Sequence, residues 1–470
     1  MRETLERERK LDVEGDFTLP DLPGSELESR VFTSTYHDTP TRSLSRAGIT
    51  LRRRLENGKS LWQLKLPREG NGNVRAEIEA PGGPTGPPAA LKRLLVAHLR
   101  HGKLEPVATL RTHRSGIRVE DDGRAIADVT VDGVEILDAG RAAGGFTEIE
   151  IELVDGKDTD LDRLEKVLRR AGAQRGSDTP KAMRVIELEQ TDEPPAQAPL
   201  LDHLRHYLTT QLAALEAHDP GVRLGSDPED VHRFRVATRR TRAVIKATHA
   251  LLGEQLQPLA DELSWLAGVL GPVRDLDVLI DHLADEVQQL DVDSAGGHDL
   301  LVALAAERDA RRVELVEAMD SPRYLELLTT FSSAIDLIAP LDADADDLAK
   351  RALRKVRKTG DELGEDPTDE ALHALRKKAK RARYAAELAA LGDGKPAGRA
   401  IDAFKQLQDV VGEHQDAVVA EERLRSLARA RTAIAAGRLI ERERERKRVA
   451  REDYPAALRA AVRAARKAFP

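Results

Sequence analysis

Two separate motifs in the C-terminal part of this chain recur at one spacing, and that recurrence limits its fold more than any other feature. Val231-His232-Arg233-Phe234-Arg235, running on to Arg242, is matched 141 residues later by Leu372-His373-Ala374-Leu375-Arg376, running on to Arg383. Leu270-Gly271-Pro272-Val273-Arg274-Asp275 is matched by Val411-Gly412-Glu413-His414-Gln415-Asp416, again 141 residues later. One offset shared by two motifs marks a tandem duplication. Each copy carries a helix-start signal five residues before its histidine, Asp227 followed by Pro228 in one and Thr368 in the other. The surrounding text is rich in Ala, Leu and Arg nearly to the end. The spacing therefore predicts a duplicated helical bundle, with copies at about 200–340 and 345–470.

Each copy is basic along a stripe that a bundle helix normally fills with leucine. His232, Arg235, Arg239, Arg242, Lys246 and His249 follow at steps of three and four, which is one helix face. No acid occurs from Val231 to Gly253. His373, Arg376, Lys380 and Arg383 repeat the stripe, flanked by Lys377 and Arg381, and the pattern changes at Glu387. Solvated faces mix their signs at i,i+4, as Glu441-Arg442-Glu443-Arg444-Glu445-Arg446 does, so that run reads as structural. The two acid-free stripes read as a polyanion surface. Asp275 and Asp416 are expected to orient arginines. His232 and His373 suit either a phosphate contact or a structural hydrogen bond. Nucleic acid is the rival ligand, but the chain is only 3% aromatic. Only Phe234 and Tyr384 interleave with the stripes, too few for base stacking, so a bare phosphate chain fits better.

Composition narrows the rest. The 470 residues have length for two or three domains with real cores. With no cysteine there are no disulfides, thiolate metal sites or cysteine nucleophiles, which suits a reducing cytoplasm. No apolar run approaches a membrane span, and the N-terminus is too charged for a secretory signal, so a cytoplasmic location is expected. Net charge is −8, with 31 basic against 35 acidic residues over 1–195 and 43 against 47 over the remainder. Bulk charge thus singles out no polyanion binder, and any case must rest on local clustering.

Up to about residue 190 the text alternates as strands do. Leu61 to Leu66, Ala76 to Glu79 and Thr147 to Leu153 show period two. Helical segments interrupt at about 88–100 and 158–171, Pro81 to Pro88 is a loop, and Glu193 to Pro199 is a stiff linker. In the last strand Ile149, Ile151 and Leu153 take one face while Glu148, Glu150 and Glu152 take the other. Glu6, Glu8 and Lys10 share a face; so do Arg52 and Arg54, and Arg75, Glu77 and Glu79. An ordinary sheet with one wet side explains alternation, but it does not explain clustered like charges, which repel unless cations lie opposite. A closed barrel with a charged interior and an apolar exterior packed on helices satisfies the pattern. Such a lumen suits a compact polyanion with a divalent metal.

The first part resembles the CYTH domain, the triphosphate tunnel metalloenzymes, over about residues 1–190. The likeness rests on Glu6-Arg7-Glu8-Arg9-Lys10, Tyr36-His37-Asp38-Thr39, Gly48 to Arg54, Leu64-Lys65, Arg75-Ala76-Glu77, Arg111-Thr112-His113-Arg114, Asp132, Glu148 to Glu152 and Lys181. The second part resembles the CHAD domain, a helical module associated with inorganic polyphosphate, over about 200–470, on the His-x-x-Arg helix and the Leu270 to Asp277 motif with its duplicate.

The resemblance implies an α+β chain: an eight-stranded antiparallel β tunnel with flanking helices at 1–192, then an all-α duplicated bundle at 200–470. It implies Mg²⁺ or Mn²⁺ held by Glu6, Glu8, Asp132, Glu148, Glu150 and Glu152, with Lys10, Arg52, Arg54, Lys65, Arg111, Arg114 and Lys181 on the phosphates. Glu6, Glu8, Lys10, Glu148 and Glu150 would carry catalysis. Polyphosphate would lie on His232, Arg235, Arg239, Arg242, Lys246, His373, Arg376, Lys377, Lys380 and Arg383. Two positions depart from the family pattern: His37 replaces an aromatic residue beside Asp38, and Pro180 replaces a small hydroxyl residue before Lys181. Neither removes a ligand, so activity should survive. The expected function is metal-dependent hydrolysis of inorganic triphosphate or short polyphosphate, with the helical part binding polyphosphate. The alternatives are a non-catalytic polyphosphate binder, an adenylate cyclase or an organic triphosphatase such as a thiamine triphosphatase. Substrate length, choice of metal and oligomeric state stay open.

Overall fold

The computed structural model describes residues 1–470 except 15–16, 69–73, 177–178, 187, 189–193, 195–197, 339–344, 365, 391–393 and 470. Most of the expected linker therefore lies outside the described residues. The chain divides into two compact units, Met1–Thr191 and Asp192–Pro470.

The first unit is a closed antiparallel barrel. Its strands are β1 (Arg2–Val13), β2 (Gly24–Asp38), β3 (Thr50–Glu56), β4 (Lys59–Pro67), β5 (Val74–Pro81), β6 (Glu105–Asp121), β7 (Arg124–Asp138) and β8 (Arg141–Leu153). They run in the order β5-β4-β3-β2-β6-β7-β8-β1, and β1 pairs back onto β5, which leaves no open edge. A two-residue β9 (Gln174–Arg175) pairs with the far end of β1. Three two-residue turns set the register. Asn57-Gly58, Asp122-Gly123 and Ala139-Gly140 all take positive φ at both positions, between 45° and 80°, as the twist-matching hairpin turn requires.

That register decides which side chains meet. Lys10 lies opposite Glu150, Glu8 opposite Glu152, Lys65 opposite Glu77, and Arg114 opposite Asp132. On the outer face Ile149 and Ile151 are fully buried with Val129, Leu11 and Val119, covered by Leu161, Leu164 and Leu168 of a flanking helix. Among the described residues this unit has four α-helices: α1 (Ser43–Arg46), α2 (Ala89–Leu94), α3 (Val96–Leu99) and α4 (Asp158–Arg170). The helical segment expected at 88–100 is thus split in two, at Leu95. Apolar side chains face out under helices and charged ones face in.

The second unit has nine helices among the described residues: α5 (Leu200–Leu224), α6 (Pro228–Leu252), α7 (Gln257–Gln288), α8 (Ser294–Met319), α9 (Pro322–Leu337), α10 (Ala345–Glu362), α11 (Asp369–Ala390), α12 (Gly394–Leu427) and α13 (Ala433–Ala468). The expected caps are present. Asp227 accepts from the Glu229 backbone at 2.8 Å with Pro228 in the first turn, and Thr368 Oγ1 accepts from the Ala371 backbone at 3.2 Å. Buried positions repeat at the same offset: Phe234, Thr238, Thr241, Ile245 and Thr248 in α6 match Leu375, Ala379, Ala382, Ala386 and Ala389 in α11. Among the described residues, no helix is long and apolar enough to cross a membrane.

Candidate functional site

The barrel encloses a cavity of about 290 Å³. Its lining holds eight cations (Lys10, Arg30, Arg52, Arg54, Lys65, Arg75, Arg114, Lys181) and six carboxylates (Glu6, Glu8, Glu77, Glu79, Glu150, Glu152). Asp132 and Glu148 stand behind them, 0% and 1% exposed. A lumen this mixed in charge is suited to a polyanion that brings its own cation rather than to either ion alone.

The carboxylates form two groups. Asp132, Glu148 and Glu150 each place an oxygen within 4.8 Å of the others. Protein cations balance this trio. Lys181 Nζ lies 2.6 Å from Glu148, 2.6 Å from Glu150 and 2.9 Å from Asp132. Lys10 pairs closely with Glu150, and Arg114 grips Asp132 with two bonds of 2.7 and 2.6 Å and also pairs with Glu150. Burial would raise the Glu150 carboxyl, but Lys10, Lys181 and Arg114 outweigh it and hold it well below the usual range. Burial likewise pulls Lys181 down, and Glu150, Asp132 and Glu148 push it back above its ordinary value.

The second group is Glu6, Glu8 and Glu152; Lys65 pairs with Glu6 and Lys10 lies 3.5 Å from Glu8, so two ammonium groups face three carboxylates. Burial, then repulsion from Glu6 with help from Glu150 and Glu8, pushes the Glu152 carboxyl up to about 7, with Lys65 opposing. Glu6 is also raised, by burial first, although Lys65 pairs with it; Glu77 adds to the rise. Hard oxygen donors crowded and under-compensated in this way fit a divalent cation. The trio fits one geometrically and could bind a divalent metal, exchanging ammonium groups for it.

Cations crowd around Phe32. Arg54 stacks on its ring at 3.7 Å and Arg114 lies 5.7 Å from it. Burial first, then Arg52, lowers the Arg54 guanidinium to about 10, with Glu56 opposing from 2.8 Å, and its Nε is buried with no hydrogen-bond partner among the described residues. Guanidinium groups this crowded by one another favour an anion between them. Arg52 is held by Gln63 at 2.8 Å and donates to the Tyr36 hydroxyl at 3.3 Å.

Twelve of the thirteen expected tunnel residues line this lumen or stand directly behind it. Arg111 does not. It is half-exposed and pairs with Glu135 at 3.5 Å, because three residues along a strand from Arg114 is the opposite face. Residues not singled out as ligands also line the cavity, namely Arg30, Gln63, Arg75, Glu77 and Glu79. The shared face of Arg75, Glu77 and Glu79 was their signal. Arg184, which bonds Glu148 at 3.1 Å and Asp12 at 2.7 Å, carries no sequence signal beyond lying three residues after Lys181. Asp38, next to the departure at His37, accepts from the backbones of Thr39, Leu44 and Ser45, and so anchors α1. His37 packs on Trp62, ring centres 4.8 Å apart.

In the helical unit a basin of about 760 Å³ lies between α6, α7, α10 and α11. Arg239, Arg242, Lys246, Lys377 and Lys380 line it. His232, Arg235, His373, Arg376 and Arg383 do not; they continue the rows outside it. Arg235 pairs with Asp275 at 2.9 Å and, at the duplicated position, Arg376 lies 3.9 Å from Asp416. Burial, then Arg239, Arg376, Arg235 and Arg383, lowers the Lys380 ammonium to about 7. His232 is lowered by burial and Arg274, and His373 by burial and Lys377. Arg351 and Lys355 of α10 join the basin. Their signal was the acid-free run Lys350 to Lys358.

Comparisons with known proteins agree with this division. Residues 4–183 match the CYTH domain and 206–425 the CHAD domain. Over 521 aligned positions the chain is 35% identical to two Mycobacterium tuberculosis proteins, "Uncharacterized protein MT2285" (strain CDC 1551 / Oshkosh) and "Uncharacterized protein Rv2226" (strain ATCC 25618 / H37Rv), across 99% of this chain and 98% of theirs. Among solved structures it is similar to the CHAD domain from the plant Ricinus communis (26% identity, TM-score 0.48, 59% of this chain and 95% of that one). It is also similar to PptA from Streptomyces chartreusis (21%, TM-score 0.47, 56% and 100%). With a CYTH tunnel matched in one unit and a CHAD bundle in the other, and with relatives that align from end to end, the chain belongs to the family of CYTH–CHAD fusion proteins.

Proposed function

We propose that the tunnel hydrolyses inorganic triphosphate or short polyphosphate with a divalent cation, and that the helical unit binds polyphosphate. The observation that carries the catalytic half is that one lumen holds both kinds of group: carboxylates at Glu6 and Glu152 raised by burial and neighbouring carboxylates, with Glu8 beside them, and guanidiniums at Arg52, Arg54 and Arg114. Glu6, Glu8, Glu150 and Glu152 would hold the cation, with the Asp132, Glu148 and Glu150 trio as the neighbouring donor set. When bound, such an ion neutralises phosphate charge and makes a coordinated water more acidic. Arg52, Arg54, Arg114 and Lys65 hold the phosphate oxygens in line, which is most of what phosphoryl transfer asks of a protein. Lys10 and Lys181 keep Glu150 ionised and oriented.

An inorganic substrate fits better than an organic triphosphate. Of the two aromatic residues in the described lining, Phe32 carries Arg54 over its ring and Tyr36 is buried among Leu110, Val134 and Ala182, so neither is well placed to stack a base or thiazole. For the helical unit, the supporting observation is the acid-poor basin flanked by both copies of the stripe. The test is phosphate release from triphosphate, ATP, thiamine triphosphate and long polyphosphate, side by side with Mg²⁺ and Mn²⁺. Release from triphosphate well above the rest is expected. Faster turnover of ATP or thiamine triphosphate would move the assignment to an organic substrate. No release from any of them would leave a binding protein.

A further inference from the structure

The 141-residue offset lets each position around the α6–α11 pair be compared with its duplicate. The burial pattern carries the same offset into the helices that flank them. Leu208, Leu212, Leu215 and His218 of α5 are buried, and so are Ala349, Leu353, Val356 and Thr359 of α10. The two sides of the basic tract can therefore be compared residue by residue, and they are not alike.

On the α10 side stand Lys246, Arg351 and Lys355, all lining the basin. Their duplicates are Glu387, Thr210 and Ala214. One exchange runs the other way, Ser264 to Lys405, so the duplicated side, flanked by α5, still has fewer cations overall and gains a carboxylate. Glu387 is not a solvated surface acid. Its Oε1 lies 3.3 Å from Arg383 Nε. Burial raises its carboxyl, against the pull of Arg383, Arg240 and Arg239. Tyr207, the duplicate of the basin residue Leu348, is half-buried beside it, its phenol raised by burial and then by Glu387.

We propose that the polyanion tract is one-ended: a phosphate chain enters beside Arg351 and Lys355, runs along α6 and α11, and stops at Glu387. This rests on the polyphosphate reading of the helical unit. Two effects produce the stop. A half-buried carboxylate repels a phosphate more strongly than a solvated one, because less water screens the pair. Glu387 also lies 3.3 Å from Arg383, the last cation of its row, and offsets the positive charge that guanidinium presents to the ligand. A symmetric duplicate would let a chain thread past both sides. The diverged one holds a chain end and a limited number of phosphates.

Affinity for polyphosphates of graded length, measured on the full chain in EDTA so that metal-dependent turnover is silent, tests the idea. Wild type should gain affinity with length up to a plateau. Glu387→Lys, which restores the residue of the first copy, should push the plateau to longer chains, bind those chains several-fold tighter and steepen the log–log salt slope by about 1. Glu387→Gln should move the plateau in the same direction by less, and it carries the test if the lysine variant does not fold. Plateaus at one length in all three proteins would overturn the one-ended tract while leaving polyphosphate binding intact. Wild type that retains no polyphosphate at low salt would overturn the binding reading, and this inference with it.

Discussion

Lys181 Nζ stands 2.6 Å from Glu148 Oε1, and both side chains are almost wholly shielded from water. The lysine opens a short 3₁₀ turn (Lys181–Arg184) while the glutamate projects from β8, so this pair ties the segment after the barrel to the barrel's interior. Removing the ammonium would leave Asp132, Glu148 and Glu150 short of positive charge.

Lys181→Met should therefore destabilise the fold by about 3 kcal/mol, the scale of breaking a buried ion pair from one side. Added Mg²⁺ or Mn²⁺ should recover part of the loss, because a cation bound only by the folded state stabilises it by mass action. Thermal melts with and without metal check this. A variant that melts like wild type in EDTA would show that the cluster does not need its lysine.

Glu6→Gln and Glu150→Gln should each cut phosphate release from triphosphate by about a hundredfold or more, the scale of losing one positioned catalytic group. Far-ultraviolet circular dichroism should be unchanged. Equal turnover in either variant at saturating Mg²⁺ would remove that residue from the catalytic set.

The Glu152 carboxyl, raised to about 7, gives the tunnel a pH dependence. Above pH 7 it is ionised and can hold a cation; below, it is protonated and cannot. Metal affinity should fall as pH drops from 8 to 6, and Glu152→Gln should flatten that limb. The apoprotein should move the opposite way. A carboxyl raised on folding contributes stability below its unfolded value, and that contribution is lost as pH rises through about 7. Melting in EDTA across this range reads the second effect, and Mn²⁺ titration reads the first.

Lys380, lowered to about 7 among Arg239, Arg376, Arg235 and Arg383, is largely uncharged at pH 8. A bound polyanion restores its proton. Polyphosphate binding should take up a proton and tighten from pH 8 to pH 6. Calorimetry in buffers of different ionisation enthalpy measures the uptake, and Lys380→Met should abolish most of it.

Arg235→Glu and Arg376→Glu should each weaken polyphosphate retention and lower the salt slope by about 1 or more, since on the proposed reading each would remove a phosphate contact and add repulsion. Retention unchanged at low salt would move the ligand away from these rows, toward the part of the basin lined by Arg351 and Lys355.

The sequence by itself determined what depends on short-range periodicity. Glu148, Glu150 and Glu152 alternate with Ile149, Ile151 and Leu153, and a strand has to place those sets on opposite faces. The 141-residue offset and the caps at Asp227 and Thr368 likewise determined the duplicated bundle and its helix starts. Tertiary structure decided which faces meet. Barrel closure and the three two-residue turns brought Lys10 against Glu150 and left Glu152 crowded by Glu6 and Glu8, so the carboxylates split into a fully paired trio and a less compensated group. The outward turn of Arg111 was also within reach of the sequence, because three residues along a strand from Arg114 is the opposite face. Glu387 read as the end of a pattern until α11 packed against α6 and the flanking α5 proved neutral where α10 is basic. Charge on a residue is local information, but the shift in its pKa and its use to a ligand depend on neighbours that only the closed barrel and the packed bundle supply.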